Sequence, residues 1–246
     1  MAEPTHHSPM AQFEIKPLAD FHLHGIDLSF TNSALLMVVA VALITLFLTL
    51  ATRKAATVPN RWQILAEMSY EFVANMVREN VGKDGMKYFP FMFSLFMFLL
   101  AANLLGMLPY SFTVTSHIIV TFAMALAIFL AVTAIGFIRH GAHFFALFLP
   151  KGTPLWMAPL MIFIEVFAYL ARPISLSIRL AANMMAGHTM LKIITGFVIM
   201  LGFIGGWLPL AFLVVLNGFE IFVAVLQAYI FSVLVCVYLN DAVNMH

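Results

Sequence analysis

"PLMIFIEVFAYLARPISLSIRLAANMMAGHTMLKIITGFVIML", residues 159–201, decides how this chain folds. The run is apolar enough to lie in a bilayer, yet it carries Glu165, Arg172, Arg179, His188 and Lys192. As one helix it would be ~65 Å long at ~1.5 Å per residue, about twice the ~30 Å of a hydrocarbon core. The helix is therefore either steeply tilted or broken near Pro173 or Gly187, and the sequence leaves both open. After "GFIGGWLP" (202–209), which reads as a turn, a second apolar run from Leu208 to Leu239 carries Glu220 and Gln227. The two runs together predict a long helical hairpin.

Composition agrees with that setting. Of 246 residues, 63% are hydrophobic and 9% charged, where an ordinary domain has about 25% charged. Mean hydropathy is +1.01. A soluble fold of this length has no interior large enough to hide so much apolar surface. An all-α integral membrane protein is expected, because a helix satisfies its own backbone where no water can. The net charge of +1 gives no sign of a nucleic-acid partner. The lone Cys236 excludes an internal disulfide and reads as small apolar packing.

Residues 1–32 are polar, with four acids against the single basic Lys16. They lack a basic start followed by an apolar core and a cleavage site, so no cleaved leader is expected. The pairs His6/His7 and His22/His24 read as a solvated tail rather than a metal site. Residues 33–246 form a single membrane domain, with helices expected at about 33–52, 60–79, 88–108, 115–138, 159–201 and 208–240. The segment at 60–79 differs in kind. Trp62, Leu65, Met68, Phe72 and Met76 share one helical face, and Gln63, Glu67, Glu71 and Asn75 another. Such a helix lies on the membrane surface or against a partner. Pro59-Asn60 reads as a stop followed by an N-cap, with Gln63 placed to return the cap bond.

Lys and Arg cluster in three connections, at 53–61, 78–87 and 139–151. One span precedes the first cluster, and Pro109 breaks the uncharged stretch between the second and third into two spans. All three clusters thus share one side. The positive-inside rule makes that side cytoplasmic, which puts the N-terminus outside and the C-terminus in the cytoplasm.

An ionisable group within a span costs at least ~2.5–3.5 kcal/mol on insertion scales, so each one needs a reason. Arg172 and Lys192 could snorkel to helix ends. Arg179 cannot, because it lies 20 residues past Pro159 and more than 20 before the turn. A structural partner in Glu165 or Glu220 is the plain alternative. Glu165, Arg172 and Arg179 recur every seven residues and form one stripe if the helix is continuous, whereas His188 points to the opposite face. Folding the hairpin about its turn sets His188 level with Glu220 (midpoint 204) and Arg179 level with Gln227 (midpoint 203). An imidazole titrates near ~6.5 and can exchange a proton with a carboxyl beside it. A guanidinium keeps its proton and acts as a fixed charge. A relay and a fixed charge on different faces make a pathway with a gate.

These residues carry a resemblance. "NLLGMLPYSFT" (103–113), "RPISLSIRLAANMMAGH" (172–188) and "EIFVAVLQAYIFSVLVCVYLND" (220–241) resemble subunit a of the F-type ATP synthase, over about residues 30–242. The family's essential arginine falls on Arg179, its asparagine on Asn183 and its glutamine on Gln227. Some bacterial members carry Glu and His where this chain has His188 and Glu220, so the imidazole and carboxyl exchange places but stay together. The resemblance implies a stator that offers two aqueous half-channels to a ring of subunit c. Arg179 would face the ring between them, with His188 and Glu220 in the outer half-channel. Glu165 and Ser175 would line the inner one, and Asp241 is a further channel-lining position. It also implies a peripheral-stalk subunit b and the other ATP synthase subunits as partners, and a bacterial inner (plasma) membrane as the setting. No metal or cofactor is expected. No nucleotide site is expected either, since no G-x-x-x-x-G-K-[ST] occurs in the chain. A stand-alone secondary transporter or proton channel is the alternative, but it predicts an internal repeat, and the arginine segment has no second copy.

Overall fold

The computed structural model describes residues 17–19, 22–23, 26–27, 30–53, 56, 58–107, 116–141, 144 and 157–244. His6, His7, His24, Lys54, Pro109, His143 and Lys151 lie outside the described residues. Among the described residues six α-helices follow in order: α1 (Asn32–Thr52), α2 (Arg61–Asn80), α3 (Phe89–Gly106), α4 (Ile118–His140), α5 (Ala158–Gly205) and α6 (Trp207–Val243). A short 3-10 helix, Lys83–Tyr88, leads into α3. Among the described residues, five helical segments are long and apolar enough to cross a membrane, and α2 is not one of them.

The polar N-terminal segment holds short strands, which its composition did not announce. β1 (Pro17–Ala19) pairs antiparallel with β4 (Phe30–Thr31), and β2 (His22–Leu23) with β3 (Ile26–Asp27). His22 thus belongs to a ladder rather than to a plain tail. Strands of two or three residues gain little by themselves, and among the described residues after Thr31 no strand occurs.

α2 is amphipathic and is not among the helices apolar enough to span. Its buried line is Gln63, Ala66, Val73, Ala74, Met76 and Val77, mostly small or branched side chains. Trp62, Leu65, Met68 and Phe72 are exposed. Small residues let backbones approach closely, so they pack on the chain while the bulky apolar row faces outward. Gln63 does not return the cap bond either. Its amide accepts from the Ala56 N–H and donates to the Ala56 carbonyl, both at 3.2 Å, and also donates to Glu67 at 2.7 Å. An amide carries a donor and an acceptor side by side, and a backbone peptide offers their complement.

α5 runs helically through both Pro173 and Gly187, the two candidate breaks, and departs from helical geometry at Gly202 (φ 62, ψ −161). That left-handed backbone favours glycine. Gly206 is required for a different reason. A Cβ there would lie 2.6 Å from the Gly202 carbonyl oxygen and 2.8 Å from that of Val198. Two glycines four residues apart thus set the turn that sends α6 back along α5. Hydroxyls inside the apolar helices bond to their own helix: Thr45, Ser94, Thr133, Thr189 and Thr195 each donate to the carbonyl four residues earlier.

The chain forms two compact units. One comprises Met1–Phe47, Phe98–His117 and Leu180–Ala228; the other comprises Leu48–Met97, Ile118–Arg179 and Tyr229–His246. In the first, Leu180, Ala181, Met184, Ala224 and Ala228 form a buried, close-packed seam between α5 and α6. In the second, Val73, Val77, Met92, Phe231, Val235 and Leu239 are buried, and the Phe144 ring lies flush on Gly136.

Candidate functional site

The first unit holds the titratable pair. His188 Nδ1 lies 3.7 Å from Glu220 Oε1, and the two side chains are only 11% and 8% exposed. That separation is too long for a hydrogen bond. His188 Nε2 and both carboxyl oxygens of Glu220 have no hydrogen-bond partner among the described residues. Gly187 makes room for the carboxyl group, since a Cβ there would lie 2.5 Å from Glu220 Oε1. Position 187 carried no chemical signal in the sequence. Only the requirement for glycine beside a functional histidine could have marked it.

Just over one helical turn before His188, Asn183 Nδ2 donates to Gln227 Oε1 at 3.0 Å, with Gln227 buried. The midpoint of 183 and 227 is 205, and that of 188 and 220 is 204. Gln227 is thus held by Asn183, one turn along α5 from Arg179.

The second unit holds the cations. Arg172 Nη1 lies 3.0 Å from Asp241 Oδ2, close in distance but without the alignment of a hydrogen bond. The guanidinium sits 5.0 Å from the Tyr169 ring centroid and 4.7 Å from that of Tyr238. Thr133 passes its proton to the Phe129 carbonyl, so the Tyr169 hydroxyl, 2.7 Å away, donates to Thr133 Oγ. Two aromatic faces and a carboxylate are strong compensation for a charge inside a membrane helix. The sequence reading had Arg172 snorkelling and Asp241 lining a channel; it did not foresee that they pair.

Arg179 contrasts with Arg172 in every respect. It is exposed, and no hydrogen bond or ion pair joins it to any described residue. Neither Glu165 nor Glu220 forms an ion pair with it among the described residues. Glu165 is half-buried, and no ion pair joins it to any described residue; Ser175 is exposed. Chemically, then, one unit holds an imidazole and a carboxyl with unmet hydrogen-bonding capacity. The other presents a permanent cation outward from an apolar helix.

These features define a polytopic helical membrane protein with a buried titratable pair along a hairpin and a fixed charge on its surface. The comparisons narrow that class. The family model described as ATP synthase A chain matches residues 34–240, and the chain belongs to that family. Two relatives called ATP synthase subunit a, one assigned to Rhodospirillum rubrum and one to a named strain of it, are similar throughout. Each is 58% identical over 240 residues, covering 98% of this chain and all of the relative. Family membership supports a proton-translocating, non-catalytic role in the membrane sector of an ATP synthase, with other subunits of that complex as partners. Together with the five apolar helices, a bacterial relative supports a bacterial membrane protein.

Proposed function

We propose that this chain is the proton-translocating stator subunit of a rotary ATP synthase, and that Arg179 stands where two aqueous half-channels meet a ring of subunit c. One observation carries the reading. Arg179 is an exposed guanidinium, unpaired among the described residues, in the middle of an apolar helix. Its insertion cost of at least ~2.5–3.5 kcal/mol needs an offset, and carboxylates on a passing ring supply one from outside the chain. His188 and Glu220 exchange protons in the outer half-channel, with Asn183 and Gln227 beside them. Glu165 and Ser175 line the inner half-channel. Asp241 would have to exchange its Arg172 partner to carry a proton, which makes Glu165 the better-placed inner carboxylate. The peripheral-stalk subunit b completes the stator, and ATP chemistry falls to other subunits. The N-terminus lies outside the bacterial plasma membrane and the C-terminus in the cytoplasm. α5 and α6 fit the bilayer by lying steeply tilted, as their length requires.

The guanidinium works as a barrier, not a carrier. A fixed cation near a ring carboxylate favours its ionised form, so a protonated site must release its proton before passing. Without the charge, the site slips past still protonated and the gradient leaks without coupling. Arg179→Ala and Arg179→Gln should therefore abolish ATP-driven acidification of inverted vesicles while the complex still assembles. Arg179→Lys keeps the charge but loses the planar fork and should be badly impaired. Normal pumping by Arg179→Ala overturns the barrier, and failure to assemble makes the arginine structural.

A further inference from the structure

α3 carries a single amide side chain, Asn103, in the run Phe89–Gly106. It is completely buried. A polar group at such a place in a membrane helix is expensive and marks function or tight pairing. Here half of it is paired. Asn103 Nδ2 donates to the Ala224 carbonyl of α6 at 3.2 Å. Because the acceptor is a carbonyl, the nitrogen must face it and the oxygen must face away. Asn103 Oδ1 then has no hydrogen-bond partner among the described residues.

The place on α6 matters. Ala224 lies one turn past Glu220 and just short of one turn before Gln227, on the same buried stripe. Asn103, Ala224, Glu220 and His188 all belong to one unit. Within that unit, Asn103 Oδ1 on α3, both Glu220 oxygens on α6 and His188 Nε2 on α5 lack partners among the described residues. Buried polar atoms are satisfied in nearly all folded proteins, and where side chains do not serve, ordered water does.

We propose that Asn103 is a positioning residue of the proton path. Its Nδ2 ties α3 to the Ala224 carbonyl, and its Oδ1 accepts a hydrogen bond from a water that serves the Glu220 carboxyl. The amide itself neither gains nor loses a proton. A proton leaving Glu220 passes to that water, which releases one of its own onward, so the water is restored. The inference rests on the proton path proposed above.

The test uses the whole complex in inverted vesicles, with passive proton flux measured against pH after removal of the catalytic head. Asn103→Ala frees space but leaves no acceptor. Flux should fall about tenfold, the effect of one hydrogen bond of ordinary net strength, and the pH midpoint should move by about one unit. Asn103→Ser keeps an acceptor and should restore the midpoint. An Asn103→Ala flux that falls with an unmoved midpoint, or does not fall, overturns the proposal. So does failure of that variant to assemble, which makes the amide a tie between helices only. Arg179→Ala is measured in parallel for ATP-driven pumping. If it loses pumping while Asn103→Ala is normal, only the role of Asn103 is lost; if it pumps normally, the proposed path itself is lost.

Discussion

Two stretches of the same helical hairpin solve the problem of charge in an apolar setting in opposite ways. Near the turn, His188 and Glu220 approach to 3.7 Å and stop, leaving buried atoms on both without hydrogen bonds among the described residues. Toward the far ends, Arg172 is enclosed by Asp241, Tyr169 and Tyr238. A charge held by a nearby carboxylate and two aromatic faces is fixed in place, because moving it means breaking that compensation. An unsatisfied pair can change protonation state without dismantling anything. The first arrangement suits transfer and the second suits anchoring.

The comparison can be broken most directly at Glu220. Glu220→Gln keeps shape and burial but cannot release a proton, so coupled pumping should fall by about a hundredfold, within the range for losing a proton-transfer group. Equal pumping by the variant would remove Glu220 from the path. A smaller loss is expected when Gly187→Ala pushes a Cβ against the Glu220 carboxyl. About tenfold is reasonable for a displaced reacting group, and a compensating Glu220→Asp should recover part of it. The exchange His188→Glu with Glu220→His keeps one imidazole and one carboxyl on the seam. It should pump better than either single change, and a double-mutant cycle showing simple additivity would mean the two do not act together. The anchoring region should respond differently. Asp241→Asn strips a partner from Arg172 and should lower the thermal stability of the detergent-solubilised complex, with pumping per assembled complex within about twofold. The expected cost is ~1–3 kcal/mol, that of weakening a partly buried charged contact. Unchanged stability with lost pumping would transfer Asp241 to the path.

Much of this was legible in the sequence, for a physical reason. Turn glycines and helix periodicity fix which positions of a hairpin face each other, so the facing of His188 and Glu220 follows from counting outward from "GFIGGW". Counting to the nearest residue is not enough to choose among neighbours a turn apart, and the hydrogen bond to Gln227 comes from Asn183, one turn from Arg179. The Arg172–Asp241 contact was missed because aromatic compensation depends on rotamers and on α4 as well as on spacing. On α2 the apolar row was read correctly as a row, but periodicity does not say whether lipid or protein covers it. The tie from Asn103 to the Ala224 carbonyl is not legible in the sequence, since one amide in an apolar helix carries no period at all.

Pro173 gives the hairpin a mechanical character. Lacking an N–H, it leaves the Tyr169 carbonyl without its usual helical donor, a soft point in the stretch of α5 before the Gly202 kink. Arg172 stands immediately before it and grips Tyr169 on its own helix while reaching Tyr238 and Asp241 on α6. The guanidinium therefore acts as a splint across a weakened joint. Arg179, the residue proposed to meet the rotor, lies seven residues further along the same helix. Each proton crossing delivers about 2.3 kcal/mol per 100 mV, and a stator that flexed at the proline would dissipate part of it as bending rather than rotation. If Arg179 meets the rotor as proposed, the contacts of Arg172 would stiffen the helix against a sideways push there.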